Sequence, residues 1–499
     1  QPIVFTSLRN DSYGGDTDNN DGSYWPAPGD WKQIYYGDSS DDSQNILRHT
    51  LITYGGSHAT NGQSANLVIY SAAPQIISNT IAYAGEVGLY MTNQANPLVA
   101  SNTFIHNLSS AIYIGAASIP TLHDNYLIQN SGYAIDMTAD SKPVISGNPV
   151  TENGGNGIKV TGAVVGATVW DADMVYIPGN ITIPSNGALS PLPGKILKFL
   201  PGADWTINGQ LLINGTADAP IIFTTLKDDS FGGDTNMDGL RSSPHAGDWG
   251  TLTFSTNNLY TGQFDHATIR YGGAGNTPMI HGGGNTAVTL SNVEIAYSGG
   301  AGISMNESTS AYAATLTIAH SVIANNFTYG VYMNAQKQGW NNLTIGNSRI
   351  EQNGKSTSIT PYGGVWINRV LQAEIHQTSI VDNAGLNGVG YGLFNSIVNG
   401  GGQPNATNNW WGSATGPAPL GTGDKINKHS VCTPAPCQTV YDVLVDPWLT
   451  SDPNGSSSVT SATAIEQPST SPNVEPAVEN ALLAPEQIQQ MIYLPIIQR

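Results

Sequence analysis

Residues 79–91 (NTIAYAGEVGLYM), 102–114 (NTFIHNLSSAIYI), 125–137 (NYLIQNSGYAIDM) and 148–160 (NPVTENGGNGIKV) are variants of one phrase, led by Asn79, Asn102, Asn125 and Asn148 at intervals of 23 residues. A fixed period of that length is the mark of a solenoid, in which each coil buries the face of the next. Within a copy, a short apolar run leads into a polar Asn/Ser/Gly turn and then into an aliphatic-x-aliphatic stretch such as Ala111-Ile112-Tyr113-Ile114. Alternation of that kind is the period of a strand, so the coils are β-coils.

Working outward, a longer repeat overlies the short one. Ile3 to Gly22 (IVFTSLRNDSYGGDTDNNDG) returns as Ile221 to Gly239 (IIFTTLKDDSFGGDTNMDG), each followed by Pro, Gly-Asp-Trp and a strand. Arg48 to Gly56 likewise returns as Asp265 to Gly273, so the chain is an internal duplication. Residues 162 to 220 supply lead-in strands for the second copy, among them Asn180–Ile183, Lys195–Phe199, Trp205–Gly209 and Leu211–Gly215. The first copy has no such lead-in: Gln1-Pro2-Ile3 matches Ala219-Pro220-Ile221, and the expectation is a first rung left uncapped. Four segments follow: a first unit over 1–161, a second over 162–450 closing at Asn409-Trp410-Trp411-Gly412, a Ser/Thr/Pro-rich linker over 451–480, and a tail over 481–499.

Composition narrows the partners. The 499 residues include 57 Gly, 17 Lys+Arg and 36 Asp+Glu, for a formal net charge of −19. So few cations make nucleic acid, anionic membranes and polyanionic substrates poor partners. No run of 18 apolar residues exists, and no transmembrane segment is expected. The start at Gln1, without Met or an apolar leader, reads as a mature secreted chain, which places it outside the cell or on its surface. In that compartment Cys432 and Cys437, separated by Thr-Pro-Ala-Pro, are expected to form a local disulfide.

These residues resemble the right-handed parallel β-helix repeat proteins of bacterial surfaces and secretions. The likeness is carried by Pro191 to Phe199, Pro220 to Thr224, the Gly-Gly-Asp-Thr loops with their Gly-Asp-Trp, and Asn409-Trp410-Trp411-Gly412 with Gly416-Pro417, and it covers roughly residues 1–450. It implies an all-β, right-handed parallel β-helix with an extended C-terminal tail. The ending Tyr493-Leu494-Pro495-Ile496-Ile497 is also similar to a C-terminal signature of proteins secreted by filamentous thermophilic bacteria. One such fold serves lyases, hydrolases, adhesins and passive stalks, so it does not by itself name a function.

The most specific polar motif is Asp234-Thr235-Asn236-Met237-Asp238-Gly239, which has the D-x-[DN]-x-D-G opening of a calcium loop. Alternate side chains on a tight turn offer a hard cation several oxygens at once. The expected Ca2+ ligands are Asp234, Asn236, Asp238 and Asp248 in one copy, and Asp16, Asp18, Asn20, Asp21 and Asp30 in the other, with Asp11 and Asp229 as further donors. The first copy counts one residue more between its Asp and its Gly, which predicts a different register. The competing expectation is a set of Asx turns whose carboxylates accept backbone amides.

For catalysis, the best His/carboxylate grouping is Asp265-His266 with His49, and no Gly-His-Gly or Arg-Ile-Lys element is present. Trp340 and Trp366 are candidates for stacking on sugars. Sequons at Asn10, Asn107, Asn180, Asn214, Asn306, Asn326, Asn342, Asn405 and Asn454 are possible glycosylation sites. The aliphatic stretch Met491 to Ile497 suggests a strand that adds to the uncapped rung of another copy, pairing Ile492, Tyr493, Leu494, Ile496 and Ile497 with Ile3, Val4 and Phe5. The expectation is an extracellular structural solenoid, a filament subunit or adhesin polymerising head to tail and meeting cell-surface glycans. The alternatives are a carbohydrate-active β-helix enzyme and a non-catalytic glycan-binding protein.

Overall fold

The computed structural model describes residues 2–455 apart from 58–61, 255–259, 308–312, 336–340, 357–361, 384, 386–387, 397–401 and 432–437. The Cys432/Cys437 pair and the tail strand therefore lie outside the described residues. The rest is a stack of parallel β-coils. Each coil of the first half contributes one strand to each of three parallel faces, as in Thr80–Ala82, Val87–Thr92 and Leu98–Ala100. Each strand pairs in register with its equivalent one coil on, Ile81 with Phe104 and Phe104 with Leu127.

Sharp corners make the coil possible. Ser78, Tyr83, Ser101, His106, Asp124 and Gln129 all have φ between 50° and 56°, in the left-handed region. One such residue swings the chain from one face to the next. The next corner residue points inward and is asparagine after five of these six; after Tyr83 it is Ala84, whose N–H donates to Asn107 Oδ1 at 2.9 Å. Asn79 Nδ2 donates to Asn102 Oδ1 at 3.0 Å, Asn102 to Asn125 at 2.9 Å and Asn125 to Asn148 at 2.9 Å. Each Oδ1 also accepts the backbone N–H of the preceding Asn, and Asn102 Nδ2 reaches Ile76 O at 2.8 Å. All the polar capacity of a buried amide is thus used between coils. Deleting one such side chain would strand buried groups on both neighbours, at about 1–3 kcal/mol per group.

A second ladder, Asn107–Asn130–Asn153, runs along the next corner at 2.8 Å per step. A third, Asn326–Asn353–Asn383, serves the second half and ends on a carboxylate, with Asn383 Nδ2 donating to Asp424 Oδ2 at 2.9 Å. Burial pushes Asp424 up to about 6. Between the ladders the core is apolar, with Ile52, Ile81, Phe104, Leu127, Ile158 and Ile181 at 1% exposure or less.

The ladder crosses the 161/162 junction unbroken, because Gly155–Ala163 pairs with Tyr133–Thr138 before it and Tyr176–Ile183 after it. Wider coils follow, through Val322–Ala324, Arg349–Glu351 and Ser379–Val381 in parallel register. The expected closure at Trp410-Trp411 is only part of the ending. Trp411 is fully buried in the core, while further pairing continues past it at Leu393–Ile426 and Asn405–Leu444. Beyond that, Asp452 and Asn454 strap the chain to the side of the coils: Arg349 Nη1 donates to Asp452 Oδ2 at 2.6 Å, and Asn454 Nδ2 to Ser348 O at 2.9 Å.

At the opposite end, β1 (Ile3–Phe5), β2 (Ile34–Tyr36) and β3 (Ile46–Arg48) each have a neighbour on one side only among the described residues. β1 pairs with β4 (Thr50–Thr53), Ile3 opposite Thr50.

Candidate functional site

The duplicated loops hang from the strands Ile3–Phe5 and Ile221–Thr225, and each brings acids together. Asp11, Asp16 and Asp18 each place a carboxylate oxygen within 4.8 Å of the others, and Asp229, Asp234 and Asp238 do the same. The expected difference in register is not found. Asp16 accepts the N–H of Asn20 at 3.1 Å and of Asp21 at 3.0 Å, and Asp234 accepts those of Asp238 at 3.1 Å and Gly239 at 2.8 Å. Asn20 therefore corresponds to Asp238 and Asp21 to Gly239, at the same offset that relates Asp30 to Asp248. The loops have equal length, and the matching Gly residues that suggested an insertion are not equivalent.

Correct alignment exposes an exchange. In the first loop Asn20 Nδ2 donates to Asp18 at 2.6 Å; in the second Asn236 Nδ2 donates to Asp238 at 2.9 Å. The acid and the amide have traded places while the pair and its hydrogen bond persist. Asp16 and Asp234 act as Asx-turn acceptors, as the competing expectation held. Other oxygens are left over: Asp11 Oδ1, Asp18 Oδ1, Asp229 Oδ1, Asn236 Oδ1 and Asp238 Oδ1 are covered yet lack a hydrogen-bond partner.

Two expected ligands are employed elsewhere. Asp30 pairs with Arg9 Nη1 at 3.0 Å and Asp248 with Lys227 Nζ at 2.7 Å, and each accepts a loop amide, from Ala27 and His245, at 2.9 Å. These carboxylates hold the loop base and are not members of the clusters. Asp21 is also outside the first cluster.

Electrostatics separate the copies. Lys198, wholly buried in the rung Ile196–Phe199, lies beneath the second loop and donates to Gly233 O. Burial brings its ammonium down to about 8. Asp229 is pushed up by burial and by Asp234, Asp238 and Asp228, with Lys198 opposing. Asp11 is raised by burial and by Asp16 and Asp18, with no cation among its causes.

His49 and His266 are corner residues, at φ 53° and 47°, one in each copy. His266 Nδ1 lies 2.9 Å from the neighbouring Asp265 Oδ1. The broad groove at the junction of the units, about 570 Å³, is walled by residues such as Thr161, Asn180, Thr182 and Leu200, and none of its lining side chains titrates. Trp366 faces outward but stacks on Phe394 at 3.9 Å, which occupies one ring face, and Trp340 lies outside the described residues.

The sequons divide by burial. Asn107 and Asn326 are fully buried ladder members, and Asn10 is buried with Nδ2 on Thr6 Oγ1 at 2.7 Å, so none of these presents an amide to solvent. Asn454 uses its amide in the strap. Asn180 and Asn214 are exposed, and Asn306, Asn342 and Asn405 are partly so.

Residues 27–169 match the family model described as right handed beta helix region. The molecule is a right-handed parallel β-helix. Neither the curated proteins nor the solved structures contain a match to this β-helix. The β-helix match spans the coils of the first two asparagine ladders, whereas the third ladder and both acidic clusters lie outside it.

Proposed function

We propose that this β-helix is an extracellular structural protein, a subunit of a surface filament or an adhesin, that polymerises head to tail when the aliphatic strand around Ile492–Ile497 adds to β1 of the next copy. One observation supports this most: the same sequence is covered in one copy and open in the other. Ile221 and Phe223 are 0% exposed because Ile196–Phe199 pairs above them, whereas Ile3 and Phe5 are 64% and 41% exposed. The second copy is thus an internal template for what the first can accept: a short parallel strand with aliphatic and aromatic side chains. An open ladder edge of this kind takes an added strand through main-chain hydrogen bonds. A tail-to-edge contact is heterologous and does not close, so it propagates.

Calcium is the second element of the proposal, held by Asp11, Asp16 and Asp18 and by Asp229, Asp234 and Asp238 to stiffen the loops. It is supported by the partnerless oxygens in both clusters, which suit a hard cation better than they suit one another. Electron microscopy of secreted material from cells making the full chain, or the chain without Met491 to Arg499, tests the assembly. Filaments are expected only with the tail; equal filaments from both would rule out strand addition.

A further inference from the structure

Three differences between the duplicated loops converge on one place. Tyr13, Tyr24 and Trp25 in the first loop stand where the second has Phe231, Ser242 and Ser243. In the second copy Ser242 is turned inward and donates to Asp238, and Phe231 is packed away at 6% exposure. In the first, Tyr24 and Trp25 turn outward at 67% and 64% exposure. Two adjacent large rings held in water are unfavourable unless a partner covers them. With Tyr13, Arg9, Asn10 and Ser12 they enclose a cavity of about 370 Å³, within the ~300–1,000 Å³ typical of small-ligand sites.

We propose that this pocket binds a pyranose unit of a neutral glycan. An aromatic ring covers the C–H face of a sugar, while the Tyr13 hydroxyl, Ser12 and the backbone serve its hydroxyl groups. Neutrality follows from the surroundings. Arg9 is the one cationic side chain in the pocket lining, and its guanidinium is tied to Asp30 at 3.0 Å, so the lining offers an anionic sugar no unpaired cationic side chain. The site deepens the adhesion side of the reading above and is independent of strand addition by the tail.

The test is calorimetric titration of the full chain with cellotetraose, maltotetraose, chitotetraose and trigalacturonate, repeated on a Tyr24→Ser/Trp25→Ser variant that makes this loop resemble its twin. Both side chains are mostly exposed, so the melting temperature should hold. At least one neutral tetrasaccharide should bind, with affinity falling about tenfold or more in the variant, equivalent to about 1.4 kcal/mol. Three results would overturn the proposal: no neutral sugar binds at millimolar concentration, the variant binds as well as the parent, or trigalacturonate is preferred. Microscopy of the same samples separates the two readings. Loss of filaments in the variant without sugar binding by the parent would make the rings an assembly contact, and filaments unchanged beside lost binding would leave both proposals standing.

Discussion

The two acidic loops share length, hydrogen-bond pattern and a tryptophan anchor, with Trp31 Nε1 donating to Thr53 O at 2.8 Å and Trp249 Nε1 to Arg270 O at 2.7 Å. They differ in what lies underneath. A whole rung, with Lys198 in it, supports the second; β1 is the last strand of its sheet beneath the first. The same amino acids are core in one place and surface in the other. Burial in a solenoid is therefore a property of the neighbouring coil as much as of the sequence.

The largest expected effect tests that difference directly. Phe223→Ala should cost about 3–5 kcal/mol, as for a buried aromatic, while Phe5→Ala in monomeric protein should cost under about 1 kcal/mol. Urea unfolding of the two variants checks this, and equal losses would mean that β1 is covered in solution.

Next comes the buried lysine. Its folded-state value lies below that of the unfolded chain, 10.5 brought down to about 8. The unfolded state therefore binds more protons between those values, and stability should rise with pH across that window by about 3 kcal/mol, at about 1.36 kcal/mol for each pH unit. Lys198→Met should flatten the rise. An unchanged profile would remove Lys198 as the electrostatic difference between the copies.

The smallest effect concerns the cation. On the calcium proposal Lys198 would oppose an ion at the second loop, and no cation stands in the matching place among the described residues at the first, so calcium titration should resolve two sites, the first-loop site tighter by about tenfold or about 1.4 kcal/mol. Asp16→Ala should remove the tighter site and Asp234→Ala the weaker. A melting temperature indifferent to chelator would contradict the calcium proposal altogether.

Much of the scaffold was legible because it is periodic. The spacing of Asn79, Asn102, Asn125 and Asn148 fixes the coil length, and their inward position follows from a buried polar group needing the same partner on every coil. The Asn326–Asn353–Asn383 ladder was harder to read, since its intervals vary and its last member is an aspartate. Pairing past Trp411 was missed because isolated bridges at Ile426 and Leu444 leave no strand-length pattern.

At the loops, residue type pointed to carboxylates that converge, Asp16 with Asp18 and Asp234 with Asp238, and motif spacing to the wrong register. Gly22 and Gly239 look equivalent in sequence, yet the turn needs only a left-handed residue, which Asp21 supplies at φ 53° where its twin is Gly239 at 68°. Asp30 and Asp248 were read as ligands because nothing in the one-dimensional pattern says that Arg9 and Lys227 fold back onto them. Tyr24 and Trp25 carried a signal that was available: they are large aromatic residues standing where the duplicated loop has two serines.

Hydrogen exchange at β1 tests the account most directly, comparing residues 2–8 with 220–226 in the full chain and in the chain without Met491 to Arg499. The account predicts that the outward amides of Ile3–Phe5 exchange as slowly as those of Ile221–Thr225 only when the tail is present and the protein is assembled. Equal protection in the tailless monomer, or free exchange within filaments, would contradict it.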